Sequence, residues 1–295
     1  MKTTKLLILT ILISLNTAFA QENMGRDSDF SLIEGPYLGQ KPPGSTAEVF
    51  APNIIQTKCF EAFGVFTPDL KEFYYISGCD RKSQKLVAYK QENNIWSKSI
   101  VGSRVGEPAI SPDGKIMYLG EKYMERTNTG WSEVKTLEAP FKDIPIMRLT
   151  VSSKGTYYFD YTGNADGEGL IRSSRLIDGK REVPVALSKE INSGKLTAHP
   201  FIAPDESYLI WDSVRDDGYG RSDLYISYRQ KNGSWGKAIN LGNKINSEYS
   251  DVFGNVTPDG KYLFFYRGLG SGNLDIYWVD AQVIETLRPK QKTKK

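Results

Sequence analysis

The sequence predicts an all-β fold built from repeated four-stranded sheets, on three observations. An apolar stretch, a Pro-Asp turn and an aromatic-rich strand recur in VFTPDLKEFYYIS (65–77), AISPDGKIMYLG (109–120), FIAPDESYLIWDS (201–213) and NVTPDGKYLFFYR (255–267). A weaker copy, LTVSSKGTYYFD (149–160), fills the gap between the second and the third. The turns, near positions 68, 112, 153, 204 and 258, have a period of 41 to 54 residues, which is the size of one propeller blade. We therefore predict a five-bladed β-propeller of four-stranded blades.

Each predicted blade follows one order of strands. The inner strand ends at the Pro-Asp turn, because proline presets φ and aspartate caps the turn. A second, aromatic strand follows, as in KYLFFYR. The third strand is seen in KLVAYK (85–90), DLYISYR (223–229) and DIYWVD (275–280), and the outer strand often starts at a tryptophan: Trp96, Trp131 and Trp235. We attribute these tryptophans to packing between blades.

The last repeat lacks an outer strand. After GNLDIYWVDAQVIETL (272–287) the chain runs into the basic segment RPKQKTKK (288–295). The segment AEVFAPNIIQ (47–56) is therefore predicted to supply the missing strand, which closes the ring and leaves no open edge. This divides the chain into a signal peptide (1–20), a lead-in (21–46), the propeller (47–287) and a disordered basic tail (288–295).

The Pro-Asp repeats resemble the WD-like repeats of TolB-type propellers over nearly the whole mature chain. The resemblance implies the fold more strongly than a function, since one scaffold carries many activities. Propellers with such repeats include non-catalytic partners in envelope complexes. Similar propellers occur among bacterial enzymes that degrade uronic-acid polysaccharides such as ulvan and pectin, and PYLGQKPPG (36–44) resembles the lead-in of some of these.

The N-terminus has the layout of a secretory signal peptide. Lys2 and Lys5 precede the apolar run LLILTILISL (6–15), and AFA (18–20) supplies small residues before a cut after Ala20. The run is shorter than the roughly 20 residues needed to cross a bilayer. We expect a periplasmic or secreted protein with no membrane span.

The charge distribution argues against a nucleic-acid partner. The formal net charge is +3, of which the signal peptide holds two lysines and the tail holds five cations, so the part between carries 3 − 2 − 5 = −4. A nucleic-acid binder would show a basic face within the fold. We read the tail as a solvated end and expect a monomer.

The two cysteines are predicted to form a disulfide. Cys59 and Cys79 lie almost symmetrically about the turn at 67–71, so they would face each other across an antiparallel hairpin. Exported proteins commonly hold such bridges. The alternative is a pair of buried thiols that behave as small apolar side chains.

The single histidine, His199, falls in a predicted ring around the propeller axis. The residues five positions before the turns share one mouth of the central channel, a usual place for a ligand: Phe63, Glu107, Arg148, His199 and Phe253. Two residues further back stand Glu61 and Asp251. The second strands end near the same mouth, with Asp160, Tyr161, Asp212, Arg215, Tyr219 and Arg267.

This mixture of side chains fits β-elimination on a uronic acid. An arginine that neutralises the sugar carboxylate acidifies the neighbouring proton, a base removes it, and an acid protonates the leaving oxygen. We predict His199 as base or acid, with Tyr219 or Tyr161 as its partner. The predicted substrate-binding residues are Arg148, Arg215, Arg267, Glu107 and Asp251. Loss of water would make the enzyme a dehydratase, and loss of a glycan would make it a lyase.

Other interpretations remain open at this point. Glu61, Glu107 and Asp251 could act as acid and base in glycoside hydrolysis. The propeller could be a binding module without chemistry, with His199 and the arginines in structural contacts. No cofactor or metal is predicted, since one histidine and two paired cysteines cannot build an ordinary zinc site. The loops NADGEG (164–169) and RDDGYG (215–220) do not match an EF-hand and are read as turns.

Overall fold

Three of the four Pro-Asp turns are held by one repeated set of hydrogen bonds, and the fourth has Ala203 in place of the hydroxyl residue. In the first, the Thr67 hydroxyl donates to Asp69 Oδ1 at 2.6 Å and accepts from the Glu72 backbone N–H at 3.0 Å. Ser111 with Asp113 and Thr257 with Asp259 repeat the hydroxyl-to-carboxylate bond at 2.6 and 2.7 Å. The aspartate therefore caps the turn, and a hydroxyl two residues earlier fixes the strand that follows.

The structure is a computed structural model, and it describes residues 32–161, 170–270 and 274–290. The signal peptide, the loop NADGEG and residues 291–295 of the basic tail lie outside these ranges. Before the first sheet come a 3₁₀ helix, Tyr37–Gly39, and strand β1, Glu48–Val49.

The remaining strands of the described ranges are grouped here into five antiparallel sets, called sheets 1 to 5, and a parallel bridge between Phe60 and Leu274 also joins the first set to the last. Sheet 1 holds β2 (Phe60–Phe66), β3 (Glu72–Gly78), β4 (Lys85–Glu92) and β5 (Ile95–Ser103). Sheet 2 holds β6 (Pro108–Ile110), β7 (Ile116–Leu119), β8 (Lys122–Thr127), and an outer strand split into β9 (Gly130–Trp131) and β10 (Lys135–Thr136). A second 3₁₀ helix, Phe141–Asp143, follows.

The later sheets repeat this order. Sheet 3 holds β11 (Leu149–Val151), β12 (Tyr157–Tyr161), β13 (Leu170–Ser174) and β16 (Val185–Ala186), with a separate hairpin of β14 (Leu176–Ile177) and β15 (Lys180–Arg181). Sheet 4 holds β17 (Lys195–Ile202), β18 (Tyr208–Val214), β19 (Asp223–Tyr228) and β20 (Ile239–Asn240). Sheet 5 holds β21 (Ser250–Val256), β22 (Tyr262–Gly268) and β23 (Leu274–Asp280), and helix α1, Gln282–Leu287, ends the described chain.

The first strands of consecutive sheets lie side by side around a common axis. Aromatic and branched side chains of neighbouring sheets fill the space between them. The predicted all-β propeller class is confirmed. Among the described residues, no helix has the length and hydropathy needed to cross a membrane.

Sheet 5 takes its outer strand from the other end of the chain. Glu48 and Val49 pair antiparallel with Trp278 and Tyr277. The strand is two residues long where ten were predicted, because Pro52 cannot donate to a ladder and the chain turns after Phe50. Phe50 is fully buried, and its ring meets Trp278 edge-on at 5.0 Å. The closure of sheet 5 therefore depends on the packing of Phe50 as well as on the two-residue ladder.

The lead-in packs onto the same end of the propeller. Tyr37 and Leu38 are buried in a cluster with Phe66 and Trp278. The Tyr37 hydroxyl donates to Asp259 Oδ2 of the last Pro-Asp turn at 2.7 Å. Residues before the first strand thus take part in the hydrophobic core.

A disulfide joins Cys59 and Cys79, whose Cα atoms are 4.6 Å apart, at the open end of the hairpin of β2 and β3. Replacing both cysteines with serine is expected to lower the free energy of unfolding by roughly 3 kcal/mol, because the bridge restricts the unfolded chain. Urea denaturation of the double variant and of the wild-type protein measures the difference. Equal stability, or two free thiols in the native wild-type protein, would contradict the expectation.

Candidate functional site

Five side chains at equivalent positions form a layer across the propeller axis, here called the axial ring: Phe63, Glu107, Arg148, His199 and Phe253. Each lies four residues before the residue whose backbone N–H closes the turn of its sheet: Thr67, Ser111, Ser152, Ala203 and Thr257. The ring members touch one another. Phe63 and Phe253 are 4.6 Å apart between ring centroids, and His199 and Phe253 are 5.9 Å apart.

Three members of the ring sit in β-bulges. Phe63, His199 and Phe253 have φ values of 62°, 50° and 61°, and the register of their sheets shifts there. This left-handed conformation costs a non-glycine residue roughly 1–2 kcal/mol. A bulge re-aims a side chain, here toward the axis. The local strain therefore accompanies the placement of these side chains in the ring.

Carboxylates of the preceding sheet hold two of the bulges in place. Asp160 Oδ2 accepts the backbone N–H of His199 at 3.0 Å, and Asp212 Oδ1 accepts that of Phe253 at 2.9 Å. Asp160 Oδ1 also accepts the N–H groups of Met147 and Arg148. Both aspartates are therefore structural supports of the ring.

His199 lies between two acidic side chains. Its Nδ1 is 2.8 Å from Asp212 Oδ1, and its Nε2 is 3.6 Å from Glu107 Oε2. The Glu107 Oε2 atom is buried and has no hydrogen-bond partner. The site thus pairs one imidazole with one carboxylate oxygen that is free of hydrogen bonds.

Arg104 brings a positive charge to the same side of Glu107. Its Nη2 is 3.7 Å from Glu107 Oε1, and its Nη1 donates to Gln84 Oε1 at 2.7 Å. The guanidinium lies over the Phe63 ring at 4.9 Å. The Arg104 side chain is 21% exposed and that of Glu107 is 8% exposed, so Arg104 is the more accessible of the two.

Arg148 is a deeply buried member of the ring, with 1% of its surface exposed. Its guanidinium lies over the Phe253 ring at 3.5 Å, and Nη1 donates to the Gly254 carbonyl at 3.3 Å. Its Nε has no hydrogen-bond partner. Arg148 therefore lies in the ring as predicted but has little access to the mouth.

The surroundings shift the proton affinities of these groups. Burial opposes the charged form of His199, but the carboxylates of Asp212, Glu107 and Asp160 outweigh it and raise the pKa of His199 to about 10. Burial raises the pKa of Glu107, with His199 acting against it, and lowers the pKa of Arg148 to about 10. The raised pKa favours the imidazolium form of His199, which is a proton donor rather than a base.

The predicted tyrosine partners do not contact His199. Tyr219 is 52% exposed in the loop after β18, and its backbone N–H donates to Asp223 Oδ2 at 2.6 Å. Tyr161 ends β12 and lies beneath the Arg172 guanidinium at 4.7 Å. Both belong to local contacts of their own sheets.

Two predicted substrate-binding arginines have structural contacts. Arg267 Nε donates to Asp251 Oδ1 at 2.6 Å, and Asp251 also accepts from the Ser247 hydroxyl. Arg215 Nη2 donates to the Ile191 carbonyl at 3.0 Å. Asp251 is therefore occupied by its own network and is not a member of the ring.

The three carboxylates considered for hydrolysis are held in different networks. The Glu61 carboxylate accepts the Thr57 N–H and hydroxyl and the Ser77 hydroxyl. Asp251 is bonded to Arg267, and only Glu107 lies in the axial ring. None of the described contacts joins these carboxyl groups in a pair.

Sequence reasoning missed Arg104 and Tyr266. Tyr266 lies one residue before Arg267, and its ring is 5.2 Å from that of Phe63. Because successive residues of a strand point to opposite faces, only one of these two neighbours can reach the ring. The register of the Pro-Asp turn would have selected Tyr266, which occupies the same position in its strand as Asp160 and Asp212. Arg104 lies outside the strands and carried no such signal.

Among the described residues, no group of three or more His, Cys, Asp and Glu side chains is arranged to hold a metal ion. No family model matches this chain. No curated protein matches it.

Solved structures show a similar architecture. An endo-arabinase from Bacteroides thetaiotaomicron VPI-5482 matches 86% of this chain and 100% of its own, with 15% identity and a TM-score of 0.52. TolB from Acinetobacter baumannii matches 76% of this chain at 14% identity and a TM-score of 0.46, and this chain spans only 55% of its length. Regucalcin, a calcium-binding protein from Agrobacterium tumefaciens, matches 81% of this chain and 78% of its own at 15% identity and a TM-score of 0.47. The similarity to the endo-arabinase shows a shared fold.

Proposed function

We propose that the axial ring acts on uronic-acid-containing oligosaccharides by β-elimination, which leaves an unsaturated uronyl end. The observation that carries the proposal is the pair of His199 Nε2 and the unpartnered Glu107 Oε2, 3.6 Å apart beside Arg104. In this proposal His199 serves as the proton donor, Glu107 as the proton acceptor and Arg104 as the anion-binding group. The shared fold with an endo-arabinase is compatible with carbohydrate chemistry.

The proposed role of each group follows from its protonation state. The Glu107 carboxylate takes the proton from C5, and the electron pair of the broken C5–H bond forms the double bond between C4 and C5. The bond from C4 to oxygen breaks, and the leaving oxygen takes the Nε2 proton of His199. Proton transfer from Glu107 back to His199 restores both groups. Burial strengthens Glu107 as a base because it disfavours the carboxylate.

Arg104 is the group that binds the sugar carboxylate in this proposal. It is partly exposed at the mouth, and guanidinium forms two-point contacts with carboxylates. Neutralising the sugar carboxylate makes the neighbouring C5 proton more acidic. Asp212 positions the imidazole, and Arg148 packs against Phe253 within the ring.

Replacing Glu107 with glutamine tests the proposal. We expect elimination from ulvan or pectin oligosaccharides to fall at least a hundredfold, the scale of a lost proton-transfer group, about 10²–10⁴. The ultraviolet absorbance of the unsaturated uronyl product measures the rate, and mass spectrometry separates loss of water from chain cleavage. His199→Gln should have a similar effect.

Glu125→Gln is the matched control, because Glu125 lies on β8 of the same sheet in an exposed pair with Lys135. It should keep the wild-type rate. New reducing ends without the absorbance would indicate hydrolysis. A wild-type protein inactive on both the ulvan and the pectin oligosaccharides would favour a binding module. Either result would overturn the assignment of elimination.

We propose further that the protein is exported as a monomer after cleavage following Ala20. The signal-like sequence and the disulfide support export, since disulfides persist in oxidising compartments. Mass spectrometry of the protein recovered outside the cytoplasm, with light scattering, tests both statements. A mass that retains residues 1–20, or that of a dimer, would contradict them.

A further inference from the structure

A cavity of about 370 Å³ lies between the axial ring and the Pro-Asp turns, on the side of Arg148 away from the proposed substrate mouth. Residues from the first strands of all the sheets form its wall: Val65, Ala109, Thr150, Phe201 and Asn255. Residues of the turns surround its outer part: Pro68, Pro112, Ser153, Pro204 and Pro258. Its volume falls within the range of small-molecule pockets, about 300–1,000 Å³.

The walls of this cavity are mainly apolar and hold one charge. Arg148 is the only charged residue among those that line it. Thr150 is already engaged, since its hydroxyl donates to the Pro200 carbonyl and accepts the Ile202 N–H. The cavity therefore offers apolar contact over most of its surface and a single cation at its inner end.

The guanidinium of Arg148 has unused donors. A guanidinium carries five N–H groups, and the one hydrogen bond that it donates among the described residues goes to the Gly254 carbonyl at 3.3 Å. Nε is buried without a hydrogen-bond partner, and the charge of Arg148 interacts with the carboxylates of Glu107, Asp212 and Asp160 without a direct ion pair among the described residues. A buried cation in this state gains more from an anionic ligand than an exposed one, because water does not compete.

We propose that this cavity binds a small monocarboxylate with an apolar body, its carboxylate on Arg148 and its apolar part between Val65, Ala109 and Phe201. The site shares Arg148 with the axial ring, but the proposal does not rest on the proposed elimination, in which Arg148 takes no chemical step. The charge selects an anion, and the apolar walls select against a sugar.

Binding of hexanoate to the full mature chain tests the proposal, with hexanamide as the uncharged match and acetate as the short match. We expect hexanoate to raise the Tm and to give a measurable Kd by calorimetry, with weaker effects of the other two. Equal effects of hexanoate and hexanamide would overturn recognition by Arg148. Equal effects of hexanoate and acetate would overturn the apolar part, and no binding would overturn the whole proposal.

Ala109→Leu tests the location by filling the cavity, and Val185→Leu, at an exposed position, is its control. Hexanoate should bind Ala109→Leu roughly tenfold more weakly, which is a change of about 1.4 kcal/mol, and Val185→Leu as tightly as the wild-type protein. Should Ala109→Leu fail to fold, anomalous scattering from para-bromobenzoate soaked into wild-type crystals locates the ligand. Bromine near Arg104 at the mouth would overturn the proposal, as would unchanged binding to a folded Ala109→Leu.

Discussion

Replacing Asp212 with alanine is expected to lower the free energy of unfolding by about 3–5 kcal/mol, the scale for breaking a buried ion pair. The Asp212 carboxylate faces His199 Nδ1 and accepts the Phe253 backbone N–H. Alanine would leave a buried imidazolium and a buried N–H group without this partner, and it would release the bulge at Phe253. Urea denaturation at neutral pH measures the loss.

Asp212→Asn separates the two roles of this side chain. Its amide oxygen can still accept the Phe253 N–H, but it carries no charge, so we expect a smaller loss than in Asp212→Ala. Asp216→Ala, at an exposed position two residues beyond the end of the strand, is the control and should be close to neutral. A loss below about 1 kcal/mol in Asp212→Ala would contradict the structural role of Asp212.

His199 is expected to remain protonated well above neutral pH, because the surrounding carboxylates raise its pKa to about 10. It is the only histidine in the chain, so a nuclear magnetic resonance titration of a tag-free sample shows a single imidazole. In Asp212→Asn the midpoint should move down by a unit or more. A midpoint near the ordinary value of about 6.5 in the wild-type protein would contradict the described electrostatics.

The same shift makes the stability of the protein depend on pH. A histidine whose pKa is higher in the folded state than in the unfolded state stabilises the fold fully below about pH 6.5, and this contribution disappears as the pH rises through about 10. The contribution is at most about 4–5 kcal/mol, at 1.36 kcal/mol per pH unit. The difference in unfolding free energy between wild type and His199→Gln should shrink over this range, and a constant difference would exclude the linkage.

The repeat made the axial ring predictable from sequence. Each ring residue stands at the same offset before its Pro-Asp turn, and the hydrogen bonds of the turn keep that offset the same in every sheet, including the weak repeat at Ser152. His199, Glu107 and Arg148 therefore came together as predicted. The bulges could not be foreseen, since Phe63 and Phe253 have no preference for positive φ.

Residues beyond the second strands were harder to place. Arg215 and Tyr219 lie in a loop whose course depends on hydrogen bonds to Asp223, which no local pattern reveals. Arg267 lies within β22, but the alternation of the strand places its neighbour Tyr266 near the ring instead. The solvent access of Arg148 could not be predicted either, because its burial against Phe253 depends on packing between separate sheets.

Because β1 completes sheet 5, this sheet can be completed only late in folding. Glu48 pairs with Trp278, so this contact forms only after the chain has been made as far as β23 and the long loop between the two residues has closed. Sheets 2 to 4 contain only local hairpins and can form earlier, whereas the last sheet depends on contacts distant in sequence, which slow folding. Until that step, β23 presents an unpaired edge on which a second copy can pair. A chain that lacks Glu48 and Val49 is therefore expected to leave the edge of β23 unpaired and to aggregate.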